Sequence, residues 1–575
     1  MGNIAAAHWG HDSVISFYNA ETDTFHVIEL EKLTGIKHYR GHARLDERED
    51  ILRECLKISE KEFGIKNDYD VFILGSTTIE KKYVEDKDPS ILSRSIVDKI
   101  FNVKNFYLNY RHHNGHAHGA YAQSPWFGDE TAIFTFDAGG DDGFTFLWEA
   151  VGDNVKSIQK PFWEDYNEPL IGYYGRNYNH AIGHGCVNIV NSTPSILDLA
   201  GKAMGAAAYG KTDTDFYKIG RRLFRYDESM VNNRNPMWWS VWWDKYNNAT
   251  DRNEFSGKFF NSPEENNIFQ IMMNKKHTRM KEEYDIAKGI QDEFETWVMK
   301  FLWENEDVIR KHKNRLVISG GCGLNVLLNR RIQREFGAEV FVPPDVIDSG
   351  LPFGFISRFM IRRGMKNSRR TITYAGPKIR DLNQLDDYKE KYNHFEISVE
   401  DLALRLKNDE IIGLIQGGIE VGPRALGNRS ILCDPKGWDK KDKVNEIKRR
   451  ELYRPFAPVC RREDAEKYFI ADNYDNLSYM NFAVDVREEY AEQLAAITHV
   501  DNTARLQTVT EDQNKLLYNI LSAFDGVLLN TSFNVRGKPI LNTLQEAFMV
   551  LNESELDAVV LYHDEKLWYF NNEKI

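Results

Sequence analysis

The sequence predicts a mixed α/β protein of more than one folding unit, built on open sheets of the nucleotide-binding kind. Three observations carry this. The chain has 575 residues, well beyond the ~100–200 of a single domain. Hydrophobic residues make up 42% and aromatics 13%, enough to fill sizeable cores and to exclude a wholly disordered chain. Two apolar runs, 131–136 and 316–319, end directly in Gly-rich loops, Asp137-Ala-Gly-Gly-Asp-Asp-Gly and Gly320-Gly-Cys-Gly. A strand that runs into such a loop and then a helix is the pattern of an α/β nucleotide-binding sheet.

Taken in chain order, residues 15–18 and 25–30 are short β-branched and aromatic runs around Asn19-Ala-Glu-Thr, which reads as a hairpin. Residues 71–74, 131–136 and 316–319 read as buried strands. Residues 212–285 differ in texture: polar and aromatic, with Trp238, Trp239, Trp242 and Trp243 in one short stretch, they read as an insertion or lid. Clustered indoles stack on sugars or nucleobases, and they also pack small cores of their own. The basic stretch Lys366-Asn-Ser-Arg-Arg-Thr-Ile reads as the main linker, separating residues 1–371 from 372–575. The second unit is again α/β, with strands expected at 411–416, 526–529 and 558–561.

Composition narrows the function. Lys and Arg number 74 against 87 Asp and Glu, a net charge of −13; this speaks against a coat for nucleic acid and leaves room for a local basic pocket. No stretch approaches the ~18 consecutive apolar residues of a membrane span. The opening Met1-Gly-Asn-Ile-Ala-Ala-Ala-His-Trp-Gly has neither the basic nor the long apolar part of a secretion signal, and it departs from a myristoylation site at Ala6. Five cysteines, Cys55, Cys186, Cys322, Cys433 and Cys460, lie far apart without a CxxC pair, the usage of a reducing compartment. The expectation is a cytoplasmic protein without membrane partners.

Three constellations carry chemistry. In Arg111-His-His-Asn-Gly-His-Ala-His-Gly, a helix would place His112 and His116 one turn apart on one face, where two imidazoles can share a metal; a His-rich surface or helix start is the alternative. Asp137, at the mouth of a strand, and Asp348, in Pro343-Pro-Asp-Val-Ile-Asp-Ser-Gly, could add oxygens, and two His with two Asp suit iron, manganese or zinc. The second constellation is the pair of Gly-rich loops at 137–143 and 320–325, whose backbone amides can cradle phosphate oxygens. Gly201-Lys-Ala-Met-Gly-Ala-Ala-Ala-Tyr-Gly-Lys is similar in kind, and reads equally as a small-residue helix contact. The third joins Gly422-Pro-Arg-Ala-Leu-Gly-Asn-Arg-Ser, Lys448-Arg-Arg-Glu-Leu-Tyr-Arg-Pro-Phe-Ala-Pro and Leu529-Asn-Thr-Ser-Phe-Asn. Arg424, Lys448 and Arg454 suit a small phosphorylated anion, by guanidinium fork and by point charge. A network of salt bridges to the many acidic residues is the competing explanation.

These motifs, from Ala7-His-Trp-Gly-His-Asp to Val560, resemble those of the O-carbamoyltransferase family that includes the nodulation-factor, cephem and tobramycin carbamoyltransferases. The resemblance implies an N-terminal actin/hexokinase-type ATPase-like domain, a duplicated α/β fold like that of the universal tRNA threonylcarbamoyl transferase, followed by a YrdC-like domain. It further implies that the YrdC-like domain takes carbamoyl phosphate and ATP (with Mg) and makes carbamoyl-adenylate. The N-terminal domain then holds that anhydride at a ferrous-type metal and passes the carbamoyl group to a hydroxyl. Carried over residue by residue, His112, His116, Asp137 and Asp348 match the metal ligands. Arg424, Lys448, Arg454, Arg505, Asn530 and Ser532 match the region binding ATP and carbamoyl phosphate. Gly139, Gly140, Gly320, Gly321 and Asn325 match the adenylate-side loops of the N-terminal domain. His11 and Asp12 match the pair expected to orient or deprotonate the acceptor hydroxyl. Ala200, Cys322 and Trp9 depart from the family's usual residues. The acceptor expected is a ring-bearing molecule with a primary hydroxyl: a sugar, an aminoglycoside, or a hydroxymethylpyrimidine, free as a nucleotide or in DNA. The competing functions are a tRNA threonylcarbamoyl-type modification enzyme and a non-catalytic nucleic-acid-binding module.

Overall fold

The computed structural model describes residues 2–41, 47–75, 94–109, 111–137, 143–158, 198–231, 280–365 and 369–572, with Leu92, Tyr178, Ala181, Ile182, Cys186 and Ile189 as isolated positions. The chain divides into two compact units, one of Met1–Trp163 with Asn305–Ile575 and one of Glu164–Glu304.

Two five-stranded sheets in the first unit share one plan. The first holds β1 (Asn3–His8), β2 (Val14–Asn19), β3 (Thr24–Glu29), β4 (Tyr69–Gly75) and β5 (Val103–Asn109), in the order β3-β2-β1-β4-β5. Its β1–β2 and β2–β3 pairs are antiparallel, and its β1–β4 and β4–β5 pairs parallel. The second holds β6 (Thr131–Phe136), β7 (Thr145–Val151), β8 (Asn154–Ser157), β9 (Arg315–Ser319) and β10 (Glu339–Phe341), ordered β10-β9-β6-β7-β8. Its β6–β7 and β7–β8 pairs are antiparallel, and β6–β9 and β9–β10 parallel. Strand for strand the two match: the duplicated α/β arrangement that the resemblance implied is present.

The first sheet is buried on both faces, and the period-2 alternation of strands sorts its residues. Ala5, Ala7, Ile15, Phe17, Phe72 and Leu74 pack in one cluster with Leu52, Cys55 and Ile58 of the Arg48–Lys61 helix. Ile4, Ala6, Val14, Val71 and Ile73 pack in another with Leu351, Phe355 and Ile356 of the Leu351–Arg362 helix. That helix in turn crosses the His112–Gln123 helix at glycines. A Cβ on Gly354 would lie 1.9 Å from the Gly115 carbonyl oxygen, and one on Gly119 3.2 Å from the Gly354 Cα. The missing side chains let the two backbones touch, and this contact sets the distance between His112, His116 and the Asp348 turn.

The remaining strands run from β11 (Asn393–Ile397), β12 (Ile412–Ile415), β13 (Arg429–Cys433) and β14 (Ala457–Arg461) through the short β15 (Phe469–Ile470), β16 (Val484–Val486) and β17 (Thr503–Ala504). They end with β18 (Gln507–Val509), β19 (Leu528–Ser532), β20 (Ala558–His563) and β21 (Lys566–Asn571). Eight form one mixed sheet, β11-β21-β20-β12-β13-β19-β14-β18, and β15–β17 a small separate one. The Val399–Lys407 and Lys515–Phe524 helices cover the larger sheet through Leu402, Leu406, Leu517 and Leu521. Ser398 and Asp401 form a reciprocal capping box at the start of the first of these helices. The strand expected at 526–529 lies later, at β19, because Asp525 adopts a left-handed φ of 56° at the preceding helix end and the chain turns before extending.

In the second unit the Met280–Glu304 helix packs on the Asp215–Val231 and Leu199–Ala207 helices. Gly220 and Gly289 make the close crossing: a Cβ on Gly220 would sit 2.1 Å from the Ile286 carbonyl oxygen. The Gly201 stretch is therefore helical. Trp238, Trp239, Trp242 and Trp243 lie outside the described residues, as do Gly139 and Gly140.

Candidate active site

His112 and His116 project from the first two turns of a helix whose residues are all buried. Their Nε2 atoms face each other at 3.1 Å. Asp348, in the short turn of Asp348–Gly350 leading into the Leu351–Arg362 helix, brings Oδ1 to 3.4 Å from His112 Nε2 and 3.5 Å from His116 Nε2. Asp137 leaves the end of β6 with Oδ2 at 3.8 Å from His116 Nε2. The four donor atoms all lie within 4.8 Å of one another. Gly321 N–H donates to Asp137 Oδ2 and so aims that carboxylate. Gly320 makes the turn possible, since its φ is 92° and a Cβ would sit 2.2 Å from the Phe136 carbonyl oxygen. The other two imidazoles of the motif serve the frame. His113 donates from Nε2 to the Gly143 carbonyl and so accepts the Thr135 hydroxyl at Nδ1, each at 3.1 Å, and His118 donates to the Asn114 carbonyl at 2.8 Å.

The electrostatics are those of a site shaped for a cation. Burial drives His112 well below its ordinary value, against the pull of Asp348, so its nitrogen lone pair is available. Burial and the Asp348 charge raise the Asp137 carboxyl. Burial alone would raise Asp348 too, but the imidazoles around it, with His11 carrying the charge, hold it well below the usual carboxylate range. Next to it, His11 Nε2 stands 3.4 Å from Asp348 Oδ2 while its Nδ1 bonds Asp12 Oδ2 at 3.0 Å. Asp12 also accepts from His38 Nδ1 at 2.7 Å. Burial works to lower His11, but the Asp348 and Asp12 carboxylates override it and hold the imidazole up to about 9.

A second cluster, cationic, forms where the Gly422-Pro-Arg424 turn, the Lys448–Arg454 segment, β19 and Arg505 converge. Glu420, fully buried, accepts the backbone N–H groups of Leu426, Asn428 and Arg429 at 2.8, 2.7 and 3.1 Å and so shapes the turn after Arg424. Asn530 ties β19 to it, donating to Ala425 O at 3.2 Å and Gln507 Oε1 at 2.7 Å. Lys448 Nζ is held by neutral oxygens, Ser532 Oγ at 3.1 Å and Asn534 Oδ1 at 2.7 Å among them. Among the described residues no ion pair joins a carboxylate to Arg424, Lys448, Arg450 or Arg505, and Arg454 has only Glu451, at 3.7 Å. The buried Nε atoms of Arg424 and Arg505 have no hydrogen-bond partner. Burial, then the charges of Arg505 and Arg454, push Arg424 well below its ordinary value. Burial and Arg454 bring Arg505 to about 10, and Arg450 and Lys448 are lowered by burial and by neighbouring guanidiniums. Half-buried guanidiniums that crowd one another favour an anion among them. Among the described residues, salt bridges account for Arg454 and Arg536, both paired with Glu451, and not for Arg424, Lys448, Arg450 or Arg505.

The two clusters abut. A Cβ on Gly422, whose φ is 96°, would lie 2.3 Å from the Pro344 carbonyl oxygen, in the loop that leads to Asp348. The buried pair Glu29 and Lys32, at the end of β3, clamps the same turn: Gly422 N–H donates to the Glu29 carboxylate at 3.2 Å, and Lys32 Nζ donates to Glu420 O and Gly422 O at 2.6 and 2.7 Å.

Comparison with known proteins now places the chain. The family profile described as carbamoyltransferase N-terminus matches residues 4–355, and that described as carbamoyltransferase C-terminus matches 403–565. The chain belongs to the carbamoyltransferase family. It is 30% identical over 551 residues to nodulation protein NolNO of Sinorhizobium fredii, across 93% of this chain and 72% of that one. It is 37% identical over 254 residues to the 3'-hydroxymethylcephem-O-carbamoyltransferase of Amycolatopsis lactamdurans, across 43% of this chain and 47% of that one. Among solved structures, full-length HypF in its phosphate- and nucleotide-bound form aligns at a TM-score of 0.30 and 14% identity, over 62% of this chain and 56% of that one.

Within this carbamoyltransferase the expected residues fall into three groups. His112, His116, Asp137 and Asp348 come together, with His11 beside them and Asp12 behind His11. Their two imidazole nitrogens and two carboxylates, buried and convergent, fit a divalent metal. Arg424, Lys448, Arg454, Arg505, Asn530 and Ser532 fall in the second, cationic cluster. Gly320, Gly321 and Asn325 lie beside Asp137, where their visible work is local: Gly320 N–H bonds Val346 O, and Asn325 caps the Val326–Arg331 helix by accepting from Leu328 N–H. Sequence reasoning missed His8, Glu29, Lys32, Glu420 and Arg450. Arg450 had a signal, lying two residues from Lys448 in a basic run; it stacks on Phe456 at 4.2 Å and bonds Asn445 and Pro455. Among the described residues no helix is long and apolar enough to cross a membrane.

Proposed function

We propose that this carbamoyltransferase activates carbamoyl phosphate with ATP at the cationic cluster, within residues 372–575, and transfers the carbamoyl group to an acceptor hydroxyl at the His–Asp site, within residues 1–371. The observation that carries the proposal is the group of half-buried guanidiniums at Arg424, Arg450, Arg454 and Arg505, which crowd one another and among the described residues have only Glu451, 3.7 Å from Arg454, paired to them: two phosphorylated co-substrates supply the negative charge this cluster lacks.

At that cluster carbamoyl phosphate loses its phosphate to water, and an oxygen of the resulting carbamate displaces pyrophosphate from the α-phosphorus of ATP, whose polyphosphate carries Mg. Arg424 and Arg454 balance the charge that builds on the departing phosphate groups, while Lys448, held by Ser532 and Asn534, offers a point charge at the β19 end. The contact between the Gly422 turn and the Pro344 loop supports a short passage of carbamoyl-adenylate from one cluster to the other, away from bulk water.

At the second site His112, His116, Asp137 and Asp348 would hold a divalent metal, iron, manganese or zinc. Bound there, the cation supplies Lewis-acid polarisation of the carbamoyl group. His11 meets the acceptor: its Nε2 faces the site and Asp12 fixes its orientation through Nδ1. With Asp348 uncompensated His11 holds its proton, and neutralising Asp348 lowers its affinity until it can take the hydroxyl proton. The acceptor oxygen then bonds the carbamoyl carbon and AMP leaves with the electron pair.

The family member named for O-carbamoyl transfer to a hydroxymethylcephem supports an alcohol as acceptor. The test is mass spectrometry of the purified protein with ATP, carbamoyl phosphate and a panel of sugars, aminoglycosides and hydroxymethylpyrimidine nucleotides. A carbamoyl mass gain on an alcohol, dependent on both co-substrates and yielding AMP, is the expected result. Product formed without ATP, or only with threonine and bicarbonate on tRNA, would overturn the proposal.

A further inference from the structure

His8 is the last residue of β1 and is fully buried, and neither of its ring nitrogens has a hydrogen-bond partner. Its Nε2 lies 3.4 Å from Asp348 Oδ2, a buried acceptor that also has no partner. A neutral imidazole carries one N–H, and a carboxylate oxygen wants one. The two orphans therefore complement each other across a gap a few tenths of an ångström beyond a normal hydrogen bond. The other oxygen of the same carboxylate, Oδ1, faces His112 and His116. Asp348 is thus divided: one oxygen toward the proposed metal ligands, the other toward His8 and His11. His11 is part-exposed and already bonded to Asp12, whereas His8, in edge contact with the His11 and His112 rings, has among the described residues no other polar group facing its nitrogens within hydrogen-bond distance.

We infer that His8 is a positioning residue for the metal site, donating Nε2–H to Asp348 Oδ2 and so presenting Oδ1 alone to the cation. This rests on the metal reading above, and it goes beyond the four-ligand set. Ligating carboxylates are themselves held by outer hydrogen bonds, and losing such a partner typically weakens metal affinity ~10–100-fold.

The experiment uses the metal-depleted full-length protein and Co(II) alone as probe, with affinity read by chelator competition and coordination by the visible absorption of bound Co(II). His8→Gln places an amide N–H near the Nε2 position, whereas His8→Asn reaches only as far as Nδ1. The expected result is one Co(II) per chain throughout, a ~10–100-fold loss of affinity with an altered spectrum in His8→Asn, and recovery to within a few-fold in His8→Gln. Because both variants are of similar size and polarity at a buried position, a general packing defect would weaken both alike, and that outcome overturns the inference. So would Asn and Gln variants that both bind as wild type, or variants that both lose Co(II) binding as completely as His112→Ala, which would make His8 a ligand. His112→Ala serves as the separating control: if it too leaves Co(II) binding unchanged, the metal reading itself fails, and not only the role of His8.

Discussion

Replacing Lys32 with Met tests the clamp between the first sheet and the anion-binding turn. Lys32 is 4% exposed and its ammonium donates to three oxygens: the Glu29 carboxylate, Glu420 O at 2.6 Å and Gly422 O at 2.7 Å. Methionine keeps the stem and its packing but removes every one of those donors. Breaking a buried ion pair from one side costs ~3–5 kcal/mol, because the partner charge is left uncompensated. Glu29 softens that figure at low pH: burial already pushes its carboxyl up to about 7, so it can neutralise itself by binding a proton. Lys32 itself holds that value down, so its removal raises the Glu29 carboxyl further; the loss should stay near the ~1–3 kcal/mol of unsatisfied hydrogen bonds at pH 5.5 and grow at pH 8. The assays are urea unfolding at both pH values and pyrophosphate release from ATP with carbamoyl phosphate. The latter should fall at least tenfold as the Gly422-Pro-Arg424 turn loosens. The Glu29→Gln, Lys32→Met double variant should be more stable than Lys32→Met alone at pH 8. A pH-independent change below ~0.5 kcal/mol, with pyrophosphate release intact, would refute the reasoning.

Two further predictions follow from single contacts. Glu29 has a folded-state value above that of a free carboxyl, so its contribution to stability is complete below about pH 4.5 and is lost as pH rises through about 7. Over that window it amounts to ~3 kcal/mol, and Glu29→Gln should flatten this part of the wild-type stability profile measured by chemical unfolding. Gly354→Ala should force apart the helices carrying His112 and Asp348, since the new methyl would meet the Gly115 carbonyl at 1.9 Å. A cost of ~1–3 kcal/mol from overpacking should come with a tenfold or greater loss of Co(II) affinity; unchanged affinity would separate the helix crossing from the site.

What was legible in the sequence follows from locality. The run at Thr131–Phe136 is six apolar or β-branched residues ending in Asp137, and it is β6 to the residue. The i, i+4 spacing of His112 and His116 was readable because one helical turn fixes their separation. Asp137 and Asp348 were placed by motif, and their convergence depends on two helices whose glycine contact no periodicity reveals. The duplication of the two five-stranded sheets left no sequence repeat, since each strand keeps only burial in common with its counterpart. His8 sits in an alanine-rich strand where a buried imidazole carries no local pattern. The Glu29–Lys32 clamp reaches Gly422 across 390 residues, so nothing near either end announced it. The strand near 526 was misplaced by two residues because Asp525 takes the left-handed conformation usually left to Gly or Asn.

The division of labour between the two clusters is tested most directly by measuring both half-reactions in two folded variants. With His112→Ala plus His116→Ala, carbamoyl transfer to an acceptor should vanish while pyrophosphate release from ATP and carbamoyl phosphate persists. With Arg454→Ala, pyrophosphate release should fall at least a hundredfold while Co(II) still binds at one per chain. Equal loss of both half-reactions in both variants would contradict the account.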